Sequence, residues 1–189
     1  MATKNTVYRS YAMEYGTFVG LCWGAMFFCY VEGVSYGNGL LMLLCLMLCG
    51  VSVVLPFVLA LRLNRKLAAA EEHLSFFQGL FFAISMFMYA CLMNGLIAFA
   101  YFRFLDDGLL MEQLNAMLTQ PDMVTMYEQM GMGEQHAQMM SILDETEALS
   151  AWDKTLLMFN NNFFFSIFLS LPVAFVVSHD WRKNRGDRP

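Results

Sequence analysis

Charge is scarce in this sequence. Only 14% of its 189 residues are Asp, Glu, Lys or Arg, whereas charged residues make up about a quarter of an ordinary soluble domain. With 58% hydrophobic residues beside them, a water-covered globular surface is excluded and a membrane protein is implied. A net charge of −5 gives no basic surface for a nucleic acid, and no nucleic-acid partner is expected.

Catalytic constellations are missing as well. The five cysteines, Cys22, Cys29, Cys45, Cys49 and Cys91, all fall in apolar runs and none forms a CxxC pair, which removes a disulfide framework and a dithiol redox centre. His73, His136 and His179 have no nucleophile near them in sequence, and no serine stands in a nucleophile-elbow context. Glycine-rich phosphate loops are absent, as is the alternating pattern of a membrane β-barrel. The expectation is a protein that is not an enzyme and carries no cofactor or metal.

What the sequence has is long apolar runs. A helix rising about 1.5 Å per residue needs roughly 20 residues to cross a hydrocarbon core of about 30 Å, and four runs are that long: 15–34, 40–61, 76–102 and 156–177. They predict an all-α integral membrane protein, a single membrane domain of four transmembrane helices over 1–189. Pro56 and Pro172 lie inside two runs, where neighbouring helices can recover the freed carbonyls. The first run is too long for a signal peptide and no small-x-small site follows it, so it is expected to be an uncleaved span.

Basic residues set the expected orientation. Lys4 and Arg9 precede the first run, Arg62, Arg65 and Lys66 join the second to the third, and Arg182, Lys183, Arg185 and Arg188 form the tail. Nine of the eleven basic residues therefore fall on one side, with only Arg103 and Lys154 on the other. The positive-inside rule places both termini in the cytoplasm. Tyr11, Tyr15 and Trp181 then mark the inner interface, and Tyr36, Tyr101 and Trp152 the outer one.

Residues 103–154 form the extracytoplasmic insert. Between Arg103 and Lys154 lie ten acids and no lysine or arginine. Apolar residues recur at helical spacing, as in Leu110, Leu114, Met117 and Leu118, with Pro121 and Gly131–Gly133 as breaks. Two or three short amphipathic helices are expected, lying against the outer leaflet or capping the bundle; the repulsion of acidic faces by anionic lipid favours packing on protein. The insert's methionines with His136 resemble a Cu(I) ligand set, and Asp106, Asp107, Asp144, Glu145 and Glu147 a hard-cation set. Gap-filling thioethers and a solvated acidic face explain the same residues more simply.

Two patterns carry the candidate sites. Gly16, Gly20 and Gly24, preceded by Ala12, form a smooth ridge at four-residue spacing, which lets two backbones approach closely in lipid. Its partner is another helix of this chain or a second protein. Asn160, Asn161 and Asn162 interrupt the last apolar run, and Asn94 is the only asparagine of the third. At matching depth, a hydrogen bond between Asn94 and one of the triplet is expected, worth about 0.6–2 kcal/mol. Three consecutive residues cover about 200° of a helix, so at least one must face something else.

The segments YAMEYGTFVGLCWG, HLSFFQGLFFAISMF and FAYFRFLDD, with the acidic insert before a last span, resemble domain-of-unknown-function family 4199. The resemblance covers nearly the whole chain and implies a four-span inner-membrane protein of Gram-negative bacteria, without an activity. The expected role is that of a partner, anchor or assembly factor, held in the lipid bilayer and bound to another envelope membrane protein or to copies of itself. The alternative is a small transporter, channel or lipid-binding protein that uses Asn94 and Asn160–Asn162 as a polar pocket.

Overall fold

The computed structural model describes residues 2–70 and 73–179, with side chains described from Tyr8 onward. Lys4's side chain, Trp181 and the four basic residues of the tail lie outside the described residues. All regular structure among the described residues is helical: α1 (Ala2–Ser35), α2 (Gly39–Ala69), α3 (Phe76–Phe104), α4 (Leu109–Leu118), α5 (Pro121–Gln129), α6 (Gly133–Glu147) and α7 (Ala151–Ser178). Four of them, α1, α2, α3 and α7, are long and apolar enough to cross a membrane.

The helices outrun the apolar runs because their ends are capped in polar sequence. Asn38 accepts hydrogen bonds from the Leu40 and Leu41 N–H groups at 3.1 and 3.4 Å, after a tight turn in which Gly37 takes φ +60°. Ser75 and Gln78 form a reciprocal capping box at the start of α3. Ser150 accepts from the Asp153 N–H at 3.2 Å and opens α7. The helix runs unbroken through the asparagine triplet, and Asn162 lies mid-helix.

α1 packs on α2 and α3, and α7 packs on α3 and α2. The four long helices thus close a ring in the order α1, α2, α7, α3. α3 is the most enclosed, with 44% of its apolar window buried, against 11% for α2. A helix apolar all round with so little of it covered by protein is one that meets lipid.

The main core joins all four. Tyr15, Val19 and Trp23 of α1 meet Phe82, Met86 and Phe87 of α3, with Leu63 of α2 and Val173 of α7 alongside. Trp23 stacks on Phe87 with ring centroids 6.0 Å apart, and Tyr15 meets Phe82 edge-on. Tyr15 and Tyr101, expected at the headgroups, are buried instead, because both fall on the faces that α1 and α3 turn to other helices. Tyr36 and Trp152, at 67% and 58% exposure, do project outward. Lys66 lies over the Tyr11 ring, 4.6 Å from its centroid, so the basic link after α2 and the early turns of α1 share one end of the molecule.

A second core seats the insert. Leu110 and Met111 of α4 pack against Val31 and Val34 of α1 and Tyr101 of α3, with Leu143 of α6 at the edge. α4 also touches α5 and α6. The insert is three short helices, broken before Pro121 and at Gly131, which takes φ +69°. Its first helix rests on the ends of α1 and α3, so at least this part of it packs on protein.

Candidate functional site

The glycine ridge faces α3. A Cβ added at Gly20 would stand 2.6 Å from Met93 Cβ and 2.7 Å from the Ala90 carbonyl oxygen. At Gly16 it would collide with the Met86 carbonyl oxygen, and at Gly24 with the tip of Ile97. Backbone lies against backbone at the first two positions, which only glycine permits. This face of α1 is therefore occupied within the chain. A second small-residue seam escaped the sequence reading: a Cβ at Gly79 of α3 would meet the Ala174 carbonyl of α7 at 3.0 Å. Gly79 and Ala83 at four-residue spacing were its signal.

The triplet divides around α7. Asn160 and Asn161 are exposed and Asn162 is half-buried. The bond expected between Asn94 and the triplet is not formed. Asn94 is buried at 2% exposure, and its Oδ1 has no hydrogen-bond partner. The reason is rotational. The buried face of α7 is set by Thr155, Ser166, Ser170, Val173, Ala174 and Val177, and at about 100° per residue Asn161 falls opposite it and Asn160 to its side. They share their outward face with Phe164, Phe165, Phe168, Leu171 and Phe175, all exposed. At 1.5 Å per residue, Asn160 lies about 12 Å along the axis from Trp152.

On its inner face α7 satisfies its polar groups. Ser166 Oγ donates to the Asn162 carbonyl at 2.6 Å and Ser170 Oγ to the Ser166 carbonyl at 2.7 Å, as membrane-helix serines do. Ser166 Oγ also lies 3.7 Å from Cys91 Sγ. Asn64 of α2 was overlooked in the sequence. Its Nδ2 is 2.6 Å from the Val177 carbonyl oxygen, 3.0 Å from that of His179 and 3.3 Å from that of Val176. It caps the end of α7 from a neighbouring helix, where intrahelical donors have run out.

In the insert, Lys154 Nζ lies 3.6 Å from Asp106 Oδ2 with both side chains largely buried, at 12% and 7% exposure. Lys154 also sits 5.8 Å from the Phe102 ring centroid. The pair fastens the exit of α3 to the entry of α7. His136 Nε2 lies 2.9 Å from the Leu118 carbonyl oxygen, and its ring stands beside Tyr127 at 5.1 Å. That histidine joins α6 to the end of α4, while Met139 Sδ accepts from Tyr127 Oη at 3.8 Å. Among the described residues no three His, Cys, Asp or Glu side chains converge as a metal site, so the acids of the insert are not gathered around one point. The five cysteines are free thiols.

The model of a family described as protein of unknown function, DUF4199, matches residues 14–178. No curated protein matches the chain, and no solved structure does.

Proposed function

This chain belongs to the DUF4199 family of proteins of unknown function, and from that premise we propose that it is a non-enzymatic partner, anchor or assembly factor. It acts in the bacterial inner membrane, with both termini cytoplasmic and the acidic insert extracytoplasmic. The basic link beside Tyr11 and the absence of lysine and arginine between Arg103 and Lys154 support that orientation. The four-helix bundle presents α7 to another envelope membrane protein.

One observation carries the reading: Asn160 and Asn161 stand exposed on an otherwise apolar, aromatic face of α7. An amide left unpaired in hydrocarbon is costly, and interhelical hydrogen bonds are one of the forces that join helices in lipid. The glycine ridge supports the same conclusion by elimination, since its close approach is already used on α3. The polar-pocket alternative loses ground because Asn94 points inward while Asn160 and Asn161 point out.

The test is purification of the tagged protein from native membranes in mild detergent, with quantitative mass spectrometry of what comes with it. The reading expects a stoichiometric membrane companion that is lost in the Asn160→Leu/Asn161→Leu variant and retained in Val51→Leu, a matched change on exposed α2. A protein that emerges alone, or with a companion indifferent to the α7 change, overturns it. A homo-oligomer replaces the envelope partner with a second copy.

A further inference from the structure

Beside the glycine seam, α1 and α3 leave a lateral cleft of about 690 Å³ between them. Arg9 and Gln78 stand at one end, and Phe81, Ile84 and Met88 line the way to Tyr89 at the other. Its size is that of a small-molecule site. Its position on two membrane-spanning helices makes the bilayer its surroundings. From Gln78 to Tyr89 the cleft follows α3 for about 16 Å at 1.5 Å per residue, close to half of a hydrocarbon core of about 30 Å. That is the depth of one acyl chain in one leaflet.

The ends of the cleft differ in chemistry. Arg9 is exposed, and no carboxylate pairs with it among the described residues. Gln78 is also exposed, in the first turn of α3 where the capping box marks the end of the span. Deeper in, the lining is mainly aliphatic and aromatic, with Ser85 in the middle of its α3 wall. A guanidinium at headgroup level is a phosphate-binding group. An apolar slot running down from it has no use for a free anion.

We propose that this cleft between α1 and α3 holds one anionic phospholipid, its phosphate on Arg9 and one acyl chain along Phe81, Ile84 and Met88. The lipid comes from the leaflet at the N-terminal end of α1. It braces that end of the α1–α3 pair at the edge of the core, where Ala12 and Phe82 line the cleft. The site is independent of the α7 face, so either can fail without the other.

Native mass spectrometry of the delipidated full-length chain tests it, with phosphatidylglycerol and phosphatidylcholine supplied separately in mixed micelles. The expected result is several-fold greater retention of phosphatidylglycerol. In Arg9→Gln that preference falls to the phosphatidylcholine level, while Arg65→Gln, an exposed arginine of the same end outside the cleft, keeps it. Ser85→Phe, which fills the slot, lowers retention of both lipids. Equal retention of the two lipids by the unchanged protein overturns the proposal. So does an equal loss in Arg9→Gln and Arg65→Gln, which reports a general surface attraction. Retention undiminished in Ser85→Phe also overturns it, since the acyl chain then lies elsewhere.

Discussion

Asn64 donates its side-chain amide to the Val177 carbonyl at 2.6 Å, so the last turn of α7 is capped by a residue 113 positions earlier in the chain. The Val176 and His179 carbonyls lie within reach of the same nitrogen. Replacing Asn64 by Leu takes this donor from the Val176 and Val177 carbonyls, at a cost of about 1–3 kcal/mol. For a chain of this size that lowers Tm by about 2–4 °C per kcal/mol. Thermal unfolding in detergent measures it, and a Tm equal to wild type contradicts the role assigned to Asn64.

The ridge on α1 makes a graded prediction. Gly20→Ala forces a methyl against the Ala90 backbone and Met93 Cβ, and overpacking of this kind costs about 1–3 kcal/mol. Gly24→Ala meets only the Ile97 side chain, which can rotate, so it costs less. Gly50, with nothing within 4 Å of its added Cβ, gains up to about 1 kcal/mol as Ala from helix propensity alone. Thermal denaturation of the three variants should rank them in that order. A Gly20→Ala protein as stable as the Gly50→Ala one would refute the close seam.

Much of this architecture is legible in the sequence because lipid leaves the backbone few choices. A segment that crosses hydrocarbon must bond its own N–H and C=O groups, so each of the four apolar runs marks a helix. Pro121 and Gly131 likewise mark the breaks between the insert's short helices. Pairings between distant residues are not legible in this way. Asn64 reads as a polar residue in a basic link, and nothing local joins it to Val177. The triplet shows the other limit. Depth along the helix follows from counting residues, but the direction in which Asn160 and Asn161 point is fixed by how Ser166, Ser170 and Val173 dock on their neighbours. That docking turned the expected bond to Asn94 away.

The Asp106–Lys154 pair predicts non-additivity. Lys154→Met leaves a largely buried carboxylate alone and costs about 3 kcal/mol, whereas removing both charges avoids most of that penalty. Asp106→Asn/Lys154→Met should therefore be more stable than Lys154→Met. Additive losses in a double-mutant cycle would mean that the pair carries no coupling.

Asn94 gives the opposite sign. Its Oδ1 is buried with no partner, so Asn94→Leu removes an unsatisfied acceptor and raises stability by about 1 kcal/mol. Detergent unfolding that instead shows a loss would mean that Asn94 holds a bond in the membrane after all.

The proposed role has another protein covering the outward face of α7. A photo-crosslinking amino acid placed at Asn161, in the full-length chain in native membranes, tests it most directly, with the same probe at Met47 on exposed α2 as reference. A discrete protein adduct is expected from position 161 and none from position 47. No protein adduct from position 161, or the same adducts from both positions, would show that α7 meets lipid as α2 does and would contradict it.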